Sequence, residues 1–292
     1  MFQPITRYIK LLKVPNNGNF PYCNCVYIDD NMRTVIDSGC GPELAEQLSR
    51  KKIDVLIITH FHLDHTLCAG QLEPAQIWCH ELDADAIESI EIYQKMYGFH
   101  LFGGELLGRR LVDAFNLEPN TINRRLRDGE ILDFGHVKLK VIHTPGHTPG
   151  HTSFFEEESG ILFSADIELS SAGPFYAHLC SNLDDYLDSI NKCMELHPRL
   201  VIGGHNGITE GDLEAKFLAY RDRILRKEEK ILQSLNEPAT IEDLAARHSF
   251  ISPKLEFGSY HNYFNKHGVY KHLERLIKLG QVSQSGNLYY RV

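Results

Sequence analysis

The chain has 292 residues, 42% of them apolar, enough for one large folded domain or two smaller ones with a sizeable core. No run approaches the ~18 apolar residues of a membrane-spanning helix, and the start "MFQPITRYIKLLKVPNN" lacks the basic, apolar and small-residue succession of a secretory signal, so no membrane association is expected. The net charge of −9 is uneven: residues 211–292 hold 13 basic and 10 acidic groups against 17 and 29 in residues 1–210, so the acidic body does not attract a polyanion and the basic tail would do so only weakly.

In chain order, "NCVYIDDNMRTVIDSG" reads as two strands joined at Asp29-Asp30-Asn31-Met32, with Cys23 and Cys25 as buried small residues on a strand. "GPELAEQLSRKK" is a helix with proline near its start and basic residues in its last turn. "IDVLIITH" is a continuous apolar strand of the kind covered on both faces, "AQIWCH" another short strand, and "ELDADAIESI" a helix. Residues 84–127 break this rhythm with helical spacing and dense aromatics, Tyr93, Tyr97, Phe99, Phe102 and Phe115. The plain reading is a helical insertion with a small core of its own. The sharper one has part of it lid a pocket, hinged at Gly103-Gly104.

Strands resume in "GEILDFGHVKLKVIHTPGH" and "HTSFFEEESGILFSAD", the latter a hairpin turning at residues 156–160. "NLDDYLDSINKCMEL" is a helix capped by Asn182 or Asp184, and "RLVIGGHNG" a strand ending in a glycine turn. A long charged helix follows over residues 211–235, in which "RILRKEEK" reads as a solvated face. The tail, residues 236–292, reads as a short helix ("ATIEDLAARHSF"), a second with Val269, Leu273, Leu276 and Ile277 at core spacing, and a strand–turn–strand, together suggesting a winged helix. Seven scattered cysteines, an odd number without a secretory signal, fit a reduced cytoplasmic setting, and Cys23-x-Cys25 has no second pair to complete a sulfur site.

The chemistry concentrates in "HFHLDH". At a strand end, His60 and His62 share one side while Phe61 and Leu63 point away, and Asp64 and His65 return to the same space from the following turn. "HTPGHTPGH" sets His143, His147 and His151 in a proline–glycine turn after a strand. "FSAD" ends a strand at Asp166, and "GGH" ends another at His205. Four separate strand ends thus carry metal-ligand side chains out of a core. His143 and His151 are expected to support or pack. His80, His100, His136, His178, His197 and the four histidines from His248 onward are expected at the surface or in packing.

On these residues, His60-x-His62-x-Asp64-His65, His147 in "TPGHTPGHTSF", Asp166 in "FSAD" and His205 in "GGHNG", the sequence resembles the metallo-β-lactamase superfamily over residues 20–210. The resemblance implies an α/β fold, an αββα sandwich with the site at one edge of the two sheets. It implies a first metal on His60, His62 and His147, a second on Asp64, His65 and His205, and Asp166 between them. "VIDSG" matches an early strand end of the family, which implies a supporting role for Asp37, and His151 is read likewise. The diiron branch commonly has an acidic residue where His62 stands, so two zinc ions are expected. The core with a winged-helix tail looks like the β-lactamase-like protein 2 group, some of whose members cut single-stranded RNA.

A hydroxide held between two metals about 3.5–4 Å apart is a nucleophile at neutral pH, with no serine or cysteine required. Asp64 is the expected catalytic residue, orienting that hydroxide and passing a proton to the leaving group. Three readings follow. One is a hydrolase of a small-molecule ester, thioester or lactone, supported by the aromatic insertion and acidic body. Another is a single-stranded RNA endonuclease. The last is an iron-dependent persulfide dioxygenase, for which the full seven-ligand set is unneeded. The tail segment has only Lys266, Lys271, Arg275 and Lys278 as cations, with Glu274 among them, so it is expected to pack on the core or mediate a homodimer.

Overall fold

The computed structural model describes residues 2–72, 75–250 and 259–292, with the side chain of Ser259 left out. β1 (Phe2–Pro4), β2 (Ile9–Leu12), β3 (Val26–Ile28) and β4 (Thr34–Ile36) pair antiparallel in succession. The chain then crosses through α1 (Pro42–Ser49) to β5 (Val55–Ile58) and through α2 (Leu63–Thr66) to β6 (Gln76–His80), both added in parallel. After α3 (Glu81–Glu88), α4 (Ile90–Tyr97) and α5 (Glu105–Phe115), β7 (Arg124–Leu126) completes a seven-stranded sheet in sequence order.

β8 (Ile131–Asp133), β9 (Lys138–His143), β10 (Thr152–Glu156) and β11 (Ile161–Ala165) form an antiparallel meander. α6 (Leu183–Glu195), capped by Asn182, crosses to β12 (Leu200–Gly203), parallel to β11, and β13 (Gly207–Thr209) ends this six-stranded sheet. α7 (Leu213–Ser234), α8 (Ile241–Arg247), α9 (Ser259–Lys278) and the hairpin of β14 (Val282–Ser285) and β15 (Leu288–Arg291) follow, and Ala239 bridges to Tyr289 beside the hairpin. Among the described residues no helix is long and apolar enough to cross a membrane.

Side-chain alternation explains the layers. In β5, Val55 and Ile57 point inward to a cluster with Trp78 and with Leu139, Val141, Phe154 and Phe163 of the second sheet. Leu56 and Ile58 point outward, onto Leu44 and Leu48 of α1 and Ala84 and Ile87 of α3. In β11, Ile161 and Phe163 face inward, while Leu162 meets Tyr186 and Ile190 of α6 and Phe217 and Tyr220 of α7. A strand apolar at every position is therefore covered on both sides, and the layers run helix, sheet, sheet, helix: an αββα sandwich.

The helical insertion differs from expectation in its packing. Tyr93, Tyr97, Phe99 and Leu107 have no core of their own. They share the outer cluster of the first sheet with Tyr263 and Phe264 of α9. Gly104, read as half of a hinge, lies against α9, since a Cβ there would come within 2.4 Å of the Tyr263 ring. In the tail, Leu244, Val269, Leu273 and Leu276 join the cluster built by α6 and α7. Ile277 was expected with them and is instead 39% exposed, because one step along a helix turns a side chain by about 100°.

Each α9 cation is paired within the chain: Lys266 with Glu242 (2.9 Å), Lys271 with Glu274, Arg275 with Asp184 (2.6 Å) and Glu228, and Lys278 with Asp184 (2.6 Å). Arg275 is largely shielded between a carboxylate of α6 and one of α7, so removing it leaves the buried Glu228 with only His272 Nδ1, 3.6 Å away, as a partner among the described residues. Arg275→Ala is expected to lower stability by about 1–3 kcal/mol in denaturant unfolding, whereas Lys278→Ala, at an exposed site, should change it little. Equal losses would contradict this reading of α9.

Candidate metal centre

Five chain segments deliver polar side chains to one edge of the sandwich. β4 ends just before Asp37, and β5 just before Thr59 and His60, with His62 capping α2, which carries Asp64 and His65. The β9–β10 connection carries His147 and His151. β11 ends before Asp166, and β12 before Gly204 and His205. β4 runs parallel to β5 and β11 to β12, while β9 and β11 are both antiparallel to β10, so within each sheet the ligand-bearing ends point the same way.

Two groups of donor atoms result. In the first, His60 Nε2 lies 3.0 Å from His62 Nδ1 and 3.2 Å from His147 Nε2, which is 2.9 Å from His62 Nδ1 and 3.2 Å from Asp166 Oδ2. In the second, His205 Nε2 lies 3.3 Å from Asp64 Oδ2 and 3.7 Å from Asp166 Oδ1, and His65 Nε2 lies 3.1 Å from Asp166 Oδ1. Donor atoms within each group lie within 4.8 Å of one another, a span that one ion with bonds of about 2.0–2.3 Å can bridge. Asp166 turns one oxygen to each group.

The outer nitrogens fix which way the lone pairs point. His147 Nδ1–H donates to the Phe175 carbonyl (2.7 Å), His205 Nδ1–H to the Gly18 carbonyl, and His65 Nδ1–H to Asp37 Oδ2 (2.7 Å). Thr59 Oγ1 donates to Asp37 Oδ2 (2.9 Å) and so accepts from His60 Nδ1–H (3.0 Å). In the neutral form of all four rings, the form that a metal ion binds, the Nε2 lone pair faces the centre. His65 Nε2 and Asp166 Oδ1 are buried with no directed hydrogen bond of their own. Buried acceptors crowded together without donors are what a cation binds.

Burial, and then neighbouring imidazoles, hold His60 and His62 well below the usual histidine range. Burial also opposes ionisation of Asp166, but His65, His205, His147 and His60 outweigh it and hold its carboxyl well below normal. For His65 and His205 burial is again the opposing influence. Cys23, Asp37 and Asp166 around the one, and Asp166, Glu168 and Asp64 around the other, lift both well above normal.

His151 turns no nitrogen to either group. The Asp166 amide donates to its Nε2 (3.1 Å), so the proton is on Nδ1, facing the Thr144 carbonyl (3.0 Å), and burial keeps the ring neutral with a pKa of about 3. Asp37, besides holding His65, accepts from the Thr59 amide (2.8 Å). His143 stacks on His80 with ring centres 4.0 Å apart, and its Nε2 meets the Pro149 carbonyl (2.7 Å), bracing the His147 loop.

Several residues at the site were not singled out from sequence. Glu168, two residues past Asp166, brings Oε1 to 4.0 Å from His205 Nε2; burial pushes its carboxyl up to about 7. His178, read only as surface or packing, is buried with its ring 4.3 Å from that of His62, which Tyr97 flanks at 5.0 Å. Cys23 reaches Asp37 and His65 within 4.8 Å. Asp83 of α3 accepts from the Phe61 amide (3.1 Å), Thr148 Oγ1 (2.6 Å) and the Gly150 amide (2.6 Å), tying the His60 segment to the His147 loop. No local motif marks these four, because their meaning depends on partners distant in the chain.

Asp83→Ala is expected to cost about 2–4 kcal/mol, read by denaturant unfolding, because three buried donors lose their acceptor; metal affinity of the first group should fall with it. The raised His65 and His205 hold protons at pH 7 in metal-free protein, and a bound ion needs both neutral. Affinity of the second group should therefore rise with pH, with protons released on binding at pH 7 and fewer at higher pH. Calorimetric titration in buffers of different ionisation enthalpy reads the number, and zero release would refute the charge state.

Residues 18–205 match the metallo-beta-lactamase superfamily. The chain is 25% identical over 210 residues to an atrochrysone carboxyl ACP thioesterase of Aspergillus fumigatus, covering 70% of this chain and 56% of that protein. It is 31% identical over 152 residues to a hydroxyacylglutathione hydrolase of Haemophilus influenzae, covering 50% and 65%. To a beta-lactamase-like protein 2 homolog of Caenorhabditis elegans it is 25% identical over 226 residues, covering 73% and 64%. The chain thus spans less than two thirds of the length of these three relatives. The crystal structure of a metallo-beta-lactamase family protein from Thermus thermophilus superposes with a TM-score of 0.77 at 22% identity, over 99% of this chain and 100% of that one. The sandwich, the order of the donor residues along the chain and the match over residues 18–205 agree: the chain belongs to the metallo-beta-lactamase superfamily.

Proposed function

We propose that the chain is a dinuclear metallohydrolase that cleaves an ester, thioester or lactone in a small molecule. One observation carries this reading: the Nε2 lone pairs of four histidines, each fixed by a hydrogen bond behind it, converge on carboxylates of Asp64 and Asp166. His60, His62 and His147 would hold one ion, Asp64, His65 and His205 the other, and Asp166 would serve both. The imidazole-rich first group favours zinc. Divalent ions bound there supply a water ionised near neutral pH and a Lewis acid for the carbonyl oxygen.

Asp64 is the proposed catalytic residue. Its Oδ2, 3.3 Å from His205 Nε2, belongs to the donor group with the greater solvent access, where it can orient the attacking water and carry a proton to the leaving group. Tyr97 and His178 pack their rings on His62 and hold it in place. Similarity to an ACP thioesterase supports a thioester among the candidate bonds.

An RNA substrate is disfavoured, because the four α9 cations are already paired with carboxylates of the chain. A persulfide dioxygenase, needing one iron, leaves the donor group of Asp64, His65 and His205 without a use. All seven cysteines are free, which supports a reducing, cytoplasmic setting.

The test is a substrate panel on protein of measured metal content. Wild type should hydrolyse acyl thioesters or esters, and Asp64→Ala should lower kcat/KM by about 10²–10⁴-fold at unchanged fold. Full activity in Asp64→Ala, or cleavage of single-stranded RNA with every ester left intact, would reject the proposal.

A further inference from the structure

Glu168 has a feature that its neighbours in the site share only in part. Its Oε1 is buried, makes no hydrogen bond, and lies 4.0 Å from His205 Nε2, its one ion-pair partner among the described residues. The backbone that carries it is pinned on both sides. Asn206 Nδ2 donates to the Glu168 carbonyl (3.3 Å), Ser164 Oγ to the Ile167 carbonyl (2.7 Å), and the Tyr186 and Tyr220 hydroxyls to the Asp166 carbonyl (2.7 and 3.0 Å). Gly203 permits the approach, for a Cβ there would lie 3.2 Å from Glu168 Cα. A carboxylate held by its backbone, with one oxygen shielded from water and without a donor, is costly unless something positive joins it.

Donor atoms of Asp166, Glu168 and His205 lie within 4.8 Å of one another, so this triad adjoins the second group through its shared His205. The side of the centre around His205 then carries three carboxylates, Asp64 and, in the adjoining triad, Asp166 and Glu168. The first group holds three imidazoles and shares Asp166. Nitrogen-rich, four-coordinate sites suit zinc, whereas added carboxylate oxygens suit harder ions that take more ligands. Resting on the dinuclear reading above, we infer that Glu168 is a further protein ligand of the second metal position and raises its affinity for manganese(II) relative to zinc. The two positions of this chain then differ in metal preference.

The experiment titrates metal-free full-length protein with manganese(II) alone, followed by electron paramagnetic resonance, and with zinc alone against a chromophoric chelator. Wild type should bind two equivalents of each. Glu168→Gln, of nearly equal volume, should weaken manganese at one position at least about tenfold and zinc by less than about threefold, with the other position unchanged as a folding control. Unchanged constants for both metals would overturn the inference while leaving the dinuclear site intact. So would equal losses for both metals, which would make Glu168 a residue that merely orients His205. Failure of wild type to bind metal at either position would sink the dinuclear reading itself.

Discussion

The edge of the sandwich is governed by a mutual exposure of unprotonated acceptors. Three imidazole nitrogens, those of His60, His62 and His147, approach within 3.2 Å of one another, away from water. Such atoms gain nothing from each other's company. They stay together because each ring is held elsewhere, on a strand end, in a cap or by a hydrogen bond on its far side. The His65–Asp37–Thr59–His60 chain shows the device: one buried carboxylate receives His65, the Thr59 hydroxyl and the Thr59 amide, and so sets two imidazole rings of the cluster at once. The donor set is strained toward a cation by the fold rather than assembled by one.

The same demand reaches the backbone. Gly39 lies so close to the ligand segment that a Cβ would stand 1.7 Å from the Asp64 carbonyl, and a Cβ on Gly204 would stand 2.7 Å from Asp166 Oδ1. Asp37 and Ala165 have positive φ of 60° and 44°, a conformation side chains of this kind adopt at a cost of about 1 kcal/mol or more. Both flank the centre. Asp37 offsets the strain with its three donors, and the residue after Ala165 is Asp166, whose carbonyl receives two buried tyrosine hydroxyls. Strain here accompanies precise placement of a carboxylate.

What was legible in the sequence is what repeats locally. "HFHLDH" after an apolar run, and an aspartate or histidine closing each later strand, announced the centre because strand alternation and turn chemistry act over a few residues. Continuous apolar strands announced layers on both faces. Hidden was everything decided between segments. Glu168 sits in "ADIELS" with no spacing to mark it, His178 lies in a loop, and Asp83 reads as an ordinary helix-start acid. The aromatics of the insertion looked like a private core, since sequence cannot show that Tyr263 and Phe264 arrive from α9 to share it. Ile277 fitted a helical period that Leu276 had already filled.

The tail is better understood through the segment it braces than through its resemblance to a nucleic-acid reader. Lys271 donates to the Leu179 carbonyl (2.9 Å), Tyr263 to the Tyr97 carbonyl (3.2 Å), and the Phe264 ring meets Phe175 and His178 with centres 5.7 and 5.8 Å apart. The stretch from Phe175 to Leu179 is the one whose Phe175 carbonyl takes the His147 proton and whose His178 packs on His62. Two rings of the first donor group therefore lean on backbone and side chains that α9 holds in place. Cations spent on intramolecular pairs and aromatics spent on this contact leave α9 a face suited to support. The tail stiffens the imidazoles, and the arrangement of the edge depends on residues that approach it only through their neighbours.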